Sequence, residues 1–542
     1  MRFSSLVCSA LIGVACATPL ESRATTFNNP IIYEDYPDLE VIRVGDVFYY
    51  TSSTFAFSPG APVLKSYDLV NWTPVSHSVP TLDFGSQYNL PSSTSRGYVG
   101  GIWASSLRYR ESTDTFYWLG CIQSAGKSYL YTSANSGAKN NNGEVSNWNW
   151  KATATFNKCY YDNGLLIDDD DTIYVAYGNN DINVAQLNKD GTAEVKSQKV
   201  YNNGQYIEGS RMYKINGYYY IFVTKPSTDE YVLKSKSPWG PYEQRTLVQG
   251  IKGPLSSAGA AHQGGIVGTK DNKWYYIAFL DSYPGGRIPV SAPITWSSDG
   301  WPSLTKDSSG GWGLTYPMPV QTSKTVPALT GTDSFTGSAL THEWEWNHNP
   351  DTSKFKLLGG SGGLQLSTAT VTGDLYSARN TLTHRVLGPK SAGTFRLDIS
   401  KLADGDRAGA ALFRDQSAYI GIHREGSTNK LVYVSGLALD QNNGWKTSNT
   451  GSVSATGNLP SGATEVWFKV QADITPAFGS STQRATSFWY STDGNNFTRL
   501  GGDFKLNNNW QFFTGFRFAV FNFATKALGG SVTVKSFELK SV

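Results

Sequence analysis

Met212-Tyr213-Lys214-Ile215-Asn216-Gly217-Tyr218-Tyr219-Tyr220-Ile221-Phe222-Val223-Thr224 joins an apolar strand to an aromatic one through a two-residue turn. Asn and Gly tolerate the positive φ angles of a tight hairpin, so the stretch reads as a β-hairpin. The pattern recurs in Val41–Ser53 around Gly45-Asp46, in Leu107–Cys121 around Ser112-Thr113-Asp114, in Leu165–Gly178 around Asp168–Asp171, and in Ile266–Leu280 around Asp271-Asn272. Each second strand centres on aromatic residues: Phe48-Tyr49-Tyr50, Phe116-Tyr117-Trp118, Tyr174, Tyr218-Tyr219-Tyr220 and Trp274-Tyr275-Tyr276. A spacing of about 45 to 70 residues leaves room for about four strands per unit. Five such units arranged radially make a five-bladed β-propeller, whereas a large β-sandwich would not need the five-fold recurrence.

The rest of the chain needs a second unit, because 542 residues are too many for one compact domain. After Pro319 the texture turns Ser/Thr/Gly-rich, with Thr322–Thr332 as a linker. Alternating strands at Phe395–Ile399, Gly409–Phe413, Glu465–Gln471 and Phe516–Phe521 then fit a β-sandwich. The predicted class is all-β, with a propeller over residues 28–319 and a sandwich over 333–542. Charged residues are only 16% and aromatics reach 13%, which excludes coiled coils, helical bundles and disordered chains. With 46 basic against 43 acidic residues and no sustained basic run, the chain is no dedicated nucleic-acid binder.

Residues 1–17 read as a secretory signal: a basic start, a short apolar run, and Ala15-Cys16-Ala17 as the cleavage site. The run is too short to span a membrane and no other long apolar stretch exists, so a secreted, extracellular protein is expected. Removal of the signal leaves Cys121 and Cys159, either as one disulfide or as two buried thiols. Asn71-Trp72-Thr73 and Asn496-Phe497-Thr498 are N-glycosylation acceptors in a cell that glycosylates. Nothing in the sequence sets the oligomeric state.

Counting back about 11 to 14 residues from each aromatic centre lands on Asp38, Trp103, Asp162, Glu208 and His262. In a propeller these positions begin the innermost strands and converge on one end of the axis. A lone Asp before a strand is ordinarily a turn or cap residue; five special residues in matching register point to a site. The six His are scattered, with no zinc-binding spacing, no nucleophile elbow and no P-loop, so metal hydrolysis and nucleotide chemistry are not indicated. Glycoside cleavage needs one carboxyl that donates a proton and one carboxylate on the opposite face. A third carboxylate nearby raises the acid's pKa and orients it. Asp38, Asp162 and Glu208 match these needs in number and type. Trp103 offers a stacking wall for a small sugar, and Phe55 is a second aromatic candidate for touching it.

Asn29-Pro30-Ile31, Tyr36-Pro37-Asp38 and Arg43-Val44-Gly45-Asp46 resemble the opening of glycoside hydrolase family 43. Ser53-Thr54-Phe55 through Asp68-Leu69-Val70-Asn71-Trp72 is similar to its xylosidase and arabinofuranosidase branch. Gly101-Ile102-Trp103-Ala104, Tyr161-Asp162, Glu208-Gly209 and Gly286-Arg287 resemble later motifs, in order, over about residues 28–305. Trp344-Glu345-Trp346-Asn347 resembles the start of the concanavalin-like module that follows such propellers. The resemblance implies an inverting enzyme with Asp38 as general base, Glu208 as general acid and Asp162 as the residue that tunes and orients the acid. It also implies that Arg287 contacts substrate in the pocket and that His262 sits near an axial calcium or sodium ion. No cofactor is required for the chemistry.

The sequence departs from the pattern at Leu39-Glu40, and at Ser105 and Ser210 where Pro is usual. The reading is a secreted α-L-arabinofuranosidase acting on arabinoxylan or xylan-derived oligosaccharides. The alternatives are a β-1,4-xylosidase and, from a different class, a non-catalytic sugar-binding propeller, which has no reason to keep all three carboxylates. An endo-acting arabinanase would need an open cleft. The sandwich reads as a partner that shapes the pocket rim rather than as a xylan-binding module, and no binding residue is expected in it.

Overall fold

The computed structural model describes residues 24–360 and 362–542; the expected signal at 1–17 lies outside them. Among these residues the first part of the chain forms five four-stranded antiparallel sheets in sequence order, the blades of a propeller. The decisive hairpin forms as its turn chemistry dictates. Ile215 pairs with Tyr218 across Asn216 and Gly217, which adopt φ of 50° and 78°. Second strands such as Val47–Thr51 and Thr115–Ile122 are buried along their whole length. Each lies inside its blade and between neighbouring blades, so both faces are covered. This is why these strands read as unbroken aromatic and apolar runs instead of alternating. The ring is tied by Thr26–Asn28 pairing with Thr315–Pro317.

Residues from 331 onward form a sandwich of a nine-stranded and an eight-stranded sheet, one strand of the latter coming from the propeller. Phe395, Phe468, Phe518 and Phe537 pack between them. Trp344 and Trp346 are 2% and 3% exposed, so they belong to this core and offer no face to a sugar. The two domains are joined by backbone as well as side chains. Phe57–Ser58 of the propeller adds a strand to the eight-stranded sheet by pairing with Asn347 and Trp346. The Arg517 guanidinium lies over the Phe57 ring at 3.6 Å, and Arg385 Nε donates to the Asp35 carbonyl at 2.8 Å. Cys121 and Cys159 form a disulfide, which decides between the two readings of that pair. Among the described residues no helix is long and apolar enough to cross a membrane.

Candidate active site

One cavity of about 490 Å³ is lined by Asp38, Trp103, Asp162, Glu208 and His262, the five residues that the hairpin register brought together. Phe55 and Arg287 line it too. Each arrives from the start of a blade or from a blade's inner loops. Asp38 and Asp162 both sit at positive φ, 55° and 47°, in the left-handed region that Asp enters more readily than most residues. Such strained backbone persists where the surrounding structure holds it.

Asp38 is held at both oxygens: Arg287 Nη1 donates to Oδ1 at 2.6 Å and Ser53 Oγ to Oδ2 at 2.7 Å. Arg287 continues the chain of charge. Its Nε is 3.5 Å from Asp281 Oδ1, and Asp281 Oδ2 is 3.1 Å from His262 Nε2. Asp281 and Arg287 are cross-strand neighbours in the fifth blade, which places them side by side. Burial opposes ionisation of Asp281, yet the hydrogen bond from His262 and the Arg287 guanidinium hold its carboxyl below the usual range.

Glu208 accepts two phenol hydrogens at one oxygen, from Tyr206 at 2.8 Å and Tyr161 at 3.0 Å, both to Oε2. Oε1 is thereby the oxygen left for a substrate. Asp162 is the carboxyl that the site displaces upward: burial first, then the charges of Glu208 and Asp38, push it well above the usual range, against Arg211 and Arg287. The like-charge repulsion expected to act on the acid thus bears on Asp162 itself.

His262 does not present a free nitrogen. Nε2 meets Asp281, and Nδ1 accepts from the Ser227 backbone N–H at 3.4 Å. That pattern fixes the tautomer with its proton on Nε2. Among the described residues no group of three or more His, Cys, Asp or Glu side chains is arranged to hold a metal ion. The residues around His262 therefore do not fit an axial ion bound through side chains, and no step below runs through one.

The remaining wall comes from the sandwich, the domain expected to shape the pocket rim: Phe478, Trp510 and Phe513, none of them singled out by the sequence, line the cavity. Phe513 contacts Phe55, Trp103 and Trp510, with ring centroids 5.4, 5.8 and 5.7 Å away. Its ring also lies 5.2 Å from the Arg287 guanidinium. Buried Arg414 fixes the segment by donating to the carbonyls of Asn507, Asn509 and Thr514. Asp35 fastens it to the propeller, accepting from Arg287 N at 2.8 Å and Gly515 N at 2.9 Å. The sequence reading missed Tyr161, Tyr206, Asp281, Trp510 and Phe513. Only Tyr161, next to Asp162, carried a local signal.

A five-bladed propeller that gathers carboxyl groups into a pocket sized for a sugar ring defines the class, a glycoside hydrolase. The family follows from comparison with known proteins. Residues 27–302 match the model for glycosyl hydrolases family 43, and residues 332–540 match the β-xylosidase C-terminal concanavalin A-like domain. The chain belongs to glycoside hydrolase family 43. It is 27% identical to a β-xylosidase of Formosa agariphila over 94% of this chain and 90% of that protein. It is 30% identical to a non-reducing end α-L-arabinofuranosidase of Bacteroides ovatus, over 68% of this chain and 70% of that one. A solved family 43 glycoside hydrolase, engineered in its active site to display both endo-xylanase and exo-arabinofuranosidase activity, is 59% identical. It superposes with a TM-score of 0.93 over 95% of this chain and 100% of its own.

Proposed function

We propose that this family 43 enzyme is a secreted, inverting α-L-arabinofuranosidase that removes arabinose side chains from arabinoxylan. The observation that carries the reading is the walled pocket: Asp38, Asp162 and Glu208 share one cavity, with Asp281 beside them, flanked by aromatic side chains of both domains. Such a pocket suits a single terminal sugar and disfavours a long chain running through. The 59% identical structure, with its exo-arabinofuranosidase activity, supports arabinose as that sugar. Export is supported by the Cys121–Cys159 disulfide, a cross-link of oxidising compartments.

In this mechanism Asp38 is the general base. Its oxygens are oriented by Arg287 and Ser53, and a remaining lone pair takes the proton of a water that attacks the anomeric carbon. Glu208 is the general acid and delivers its proton from Oε1 to the departing oxygen, because Oε2 is engaged by two phenols. Asp162 stands beside Glu208 as a carboxyl whose charged form the pocket disfavours, and in this reading it tunes and orients the acid. Trp103 and Phe55 form the apolar wall. Attack from the face opposite the leaving group inverts the anomeric centre.

A β-1,4-xylosidase is the second reading, supported by the Formosa agariphila relative. Product analysis on arabinoxylan oligosaccharides beside unsubstituted xylo-oligosaccharides separates the two. Release of arabinose with little xylose is expected, and the reverse would transfer the assignment. Proton NMR of the first product should show inversion; retention would overturn the mechanism.

A further inference from the structure

Arg211 lies three residues beyond Glu208 on the first strand of the fourth blade and is 1% exposed. Among the described residues no carboxylate forms a salt bridge with it. Its guanidinium instead donates to four backbone carbonyls: Nε to Leu39 at 3.1 Å, Nη2 to Asp38 at 2.8 Å, and Nη1 to Asn163 at 3.0 Å and Ser210 at 2.9 Å. Asp38 is the base, Asn163 follows Asp162, and Ser210 lies two residues after Glu208. One planar group therefore touches the backbone of all three segments that carry the carboxyl groups. Charge-assisted hydrogen bonds of this kind are stronger than neutral ones, and the rigid fork fixes direction as well as distance.

The local backbone is shaped to allow it. A bulge interrupts the strand pairing between Glu208 and Arg211, with Gly209 at φ 73°. The extra residue re-aims the strand between the two side chains. Gly164, after Asn163, brings the third blade so close that a Cβ there would lie 2.7 Å from Arg211 Cα and 2.8 Å from the Ser210 carbonyl oxygen. The close approach lets the Asn163 carbonyl reach the guanidinium.

We propose that Arg211 is a positioning residue of the reaction, which sets the mutual placement of Asp38, Asp162 and Glu208 through the backbone of the segments that bear them. The inference rests on the roles given to those carboxyl groups above. A displacement on the order of 1 Å in such an arrangement costs about 10²-fold in rate. The loss falls on the chemical step, because Arg211 lines no part of the pocket that receives the sugar.

The test compares Arg211→Lys and Arg211→Met with wild type and with Glu208→Ala, by steady-state kinetics on arabinoxylan oligosaccharides, pH profiles and thermal melts. Folded Arg211→Lys should lose about 10²-fold in kcat with KM changed less than about threefold. In Arg211→Met the loss is larger. A limb of the pH profile set by ionisation of Asp162 also moves to higher pH, since burial and then the charges of Glu208 and Asp38 still raise that carboxyl and of the two arginines only Arg287 is left to oppose them. Arg211→Lys, which keeps the charge, leaves the limb in place. Folded variants with kcat near wild type, or with an unmoved limb in Arg211→Met, would overturn the proposal. So would failure of both variants to fold, which would make Arg211 a folding residue. If Glu208→Ala retains turnover on these substrates, the carboxyl assignment itself falls, an outcome distinct from a neutral Arg211.

Discussion

Phe513 of the sandwich lies flat on Phe55 of the propeller, with ring centroids 5.4 Å apart and planes within 3°. The pocket is thus a joint product of two domains, and its walls depend on how the domains dock. Stacked pairs contribute about 0.5–1.5 kcal/mol beyond burial, so truncating one ring should leave the fold intact. Phe513→Ala is expected to raise KM for arabinoxylan oligosaccharides by about tenfold through lost contact with the sugar. A larger fall in kcat than rise in KM would mean that the ring acts through Arg287, whose guanidinium it covers.

Arg287 stands between two carboxylates, Asp38 and Asp281, and between two rings, Phe279 and Phe513. Arg287→Met keeps the bulk and removes the charge, which leaves both carboxylates without their cation. Losing one partner of a buried pair costs about 3–5 kcal/mol. The variant should melt at lower temperature and lose at least about 10²-fold in kcat/KM, because the oriented base is disturbed. Arg287→Lys should recover part of the stability and less of the activity, since an ammonium cannot reproduce the planar fork. Equal activity of the two variants would argue that charge alone matters.

The propeller was legible because its information is local. Asn216-Gly217 and its four counterparts specify hairpins within a dozen residues, and the carboxyl groups stand at fixed offsets from them. What stayed hidden depends on contacts between distant segments. Asp35 accepts from Gly515 across 480 positions, and only that meeting brings Phe513 to the pocket. Arg211 reads in sequence as an ordinary strand residue; its meaning lies in three carbonyl partners outside its own strand. His262 was placed correctly at the pocket by its register, but its partners Asp281 and Ser227, which leave no ring nitrogen for an ion, were not visible from position alone.

Glu34 predicts a pH dependence of stability. It is fully buried at the domain junction near Arg385, Glu343, Arg517 and Tyr36, and its Oε1 has no hydrogen-bond partner. Burial pushes its carboxyl from 4.5 up to about 7, only partly offset by Arg385 and Arg517. The folded state therefore holds this proton more tightly than the unfolded chain. Its contribution to stability is full below about pH 4.5, declines as pH rises towards 7, and is flat beyond. The decline is worth roughly 3 kcal/mol. Urea titrations at pH 5 and pH 8 should show a smaller drop for Glu34→Gln than for wild type, and identical drops would contradict the assignment.

The Cys121–Cys159 disulfide links the end of a second-blade strand to the segment that leads into Tyr161 and Asp162. It closes a loop across a sequence separation of 38, for which chain entropy in the unfolded state amounts to about 4 kcal/mol. The paired variant Cys121→Ser/Cys159→Ser should lose stability of that order in denaturant titrations. Tyr160 N also donates to Ser128 Oγ at 2.8 Å, so the segment keeps a second attachment when the cross-link is gone. At low temperature, where the variant stays folded, kcat should therefore remain within a few-fold of wild type, and inactivation should appear only on heating. A folded variant with kcat reduced by about 10²-fold would instead show that the disulfide itself places Asp162.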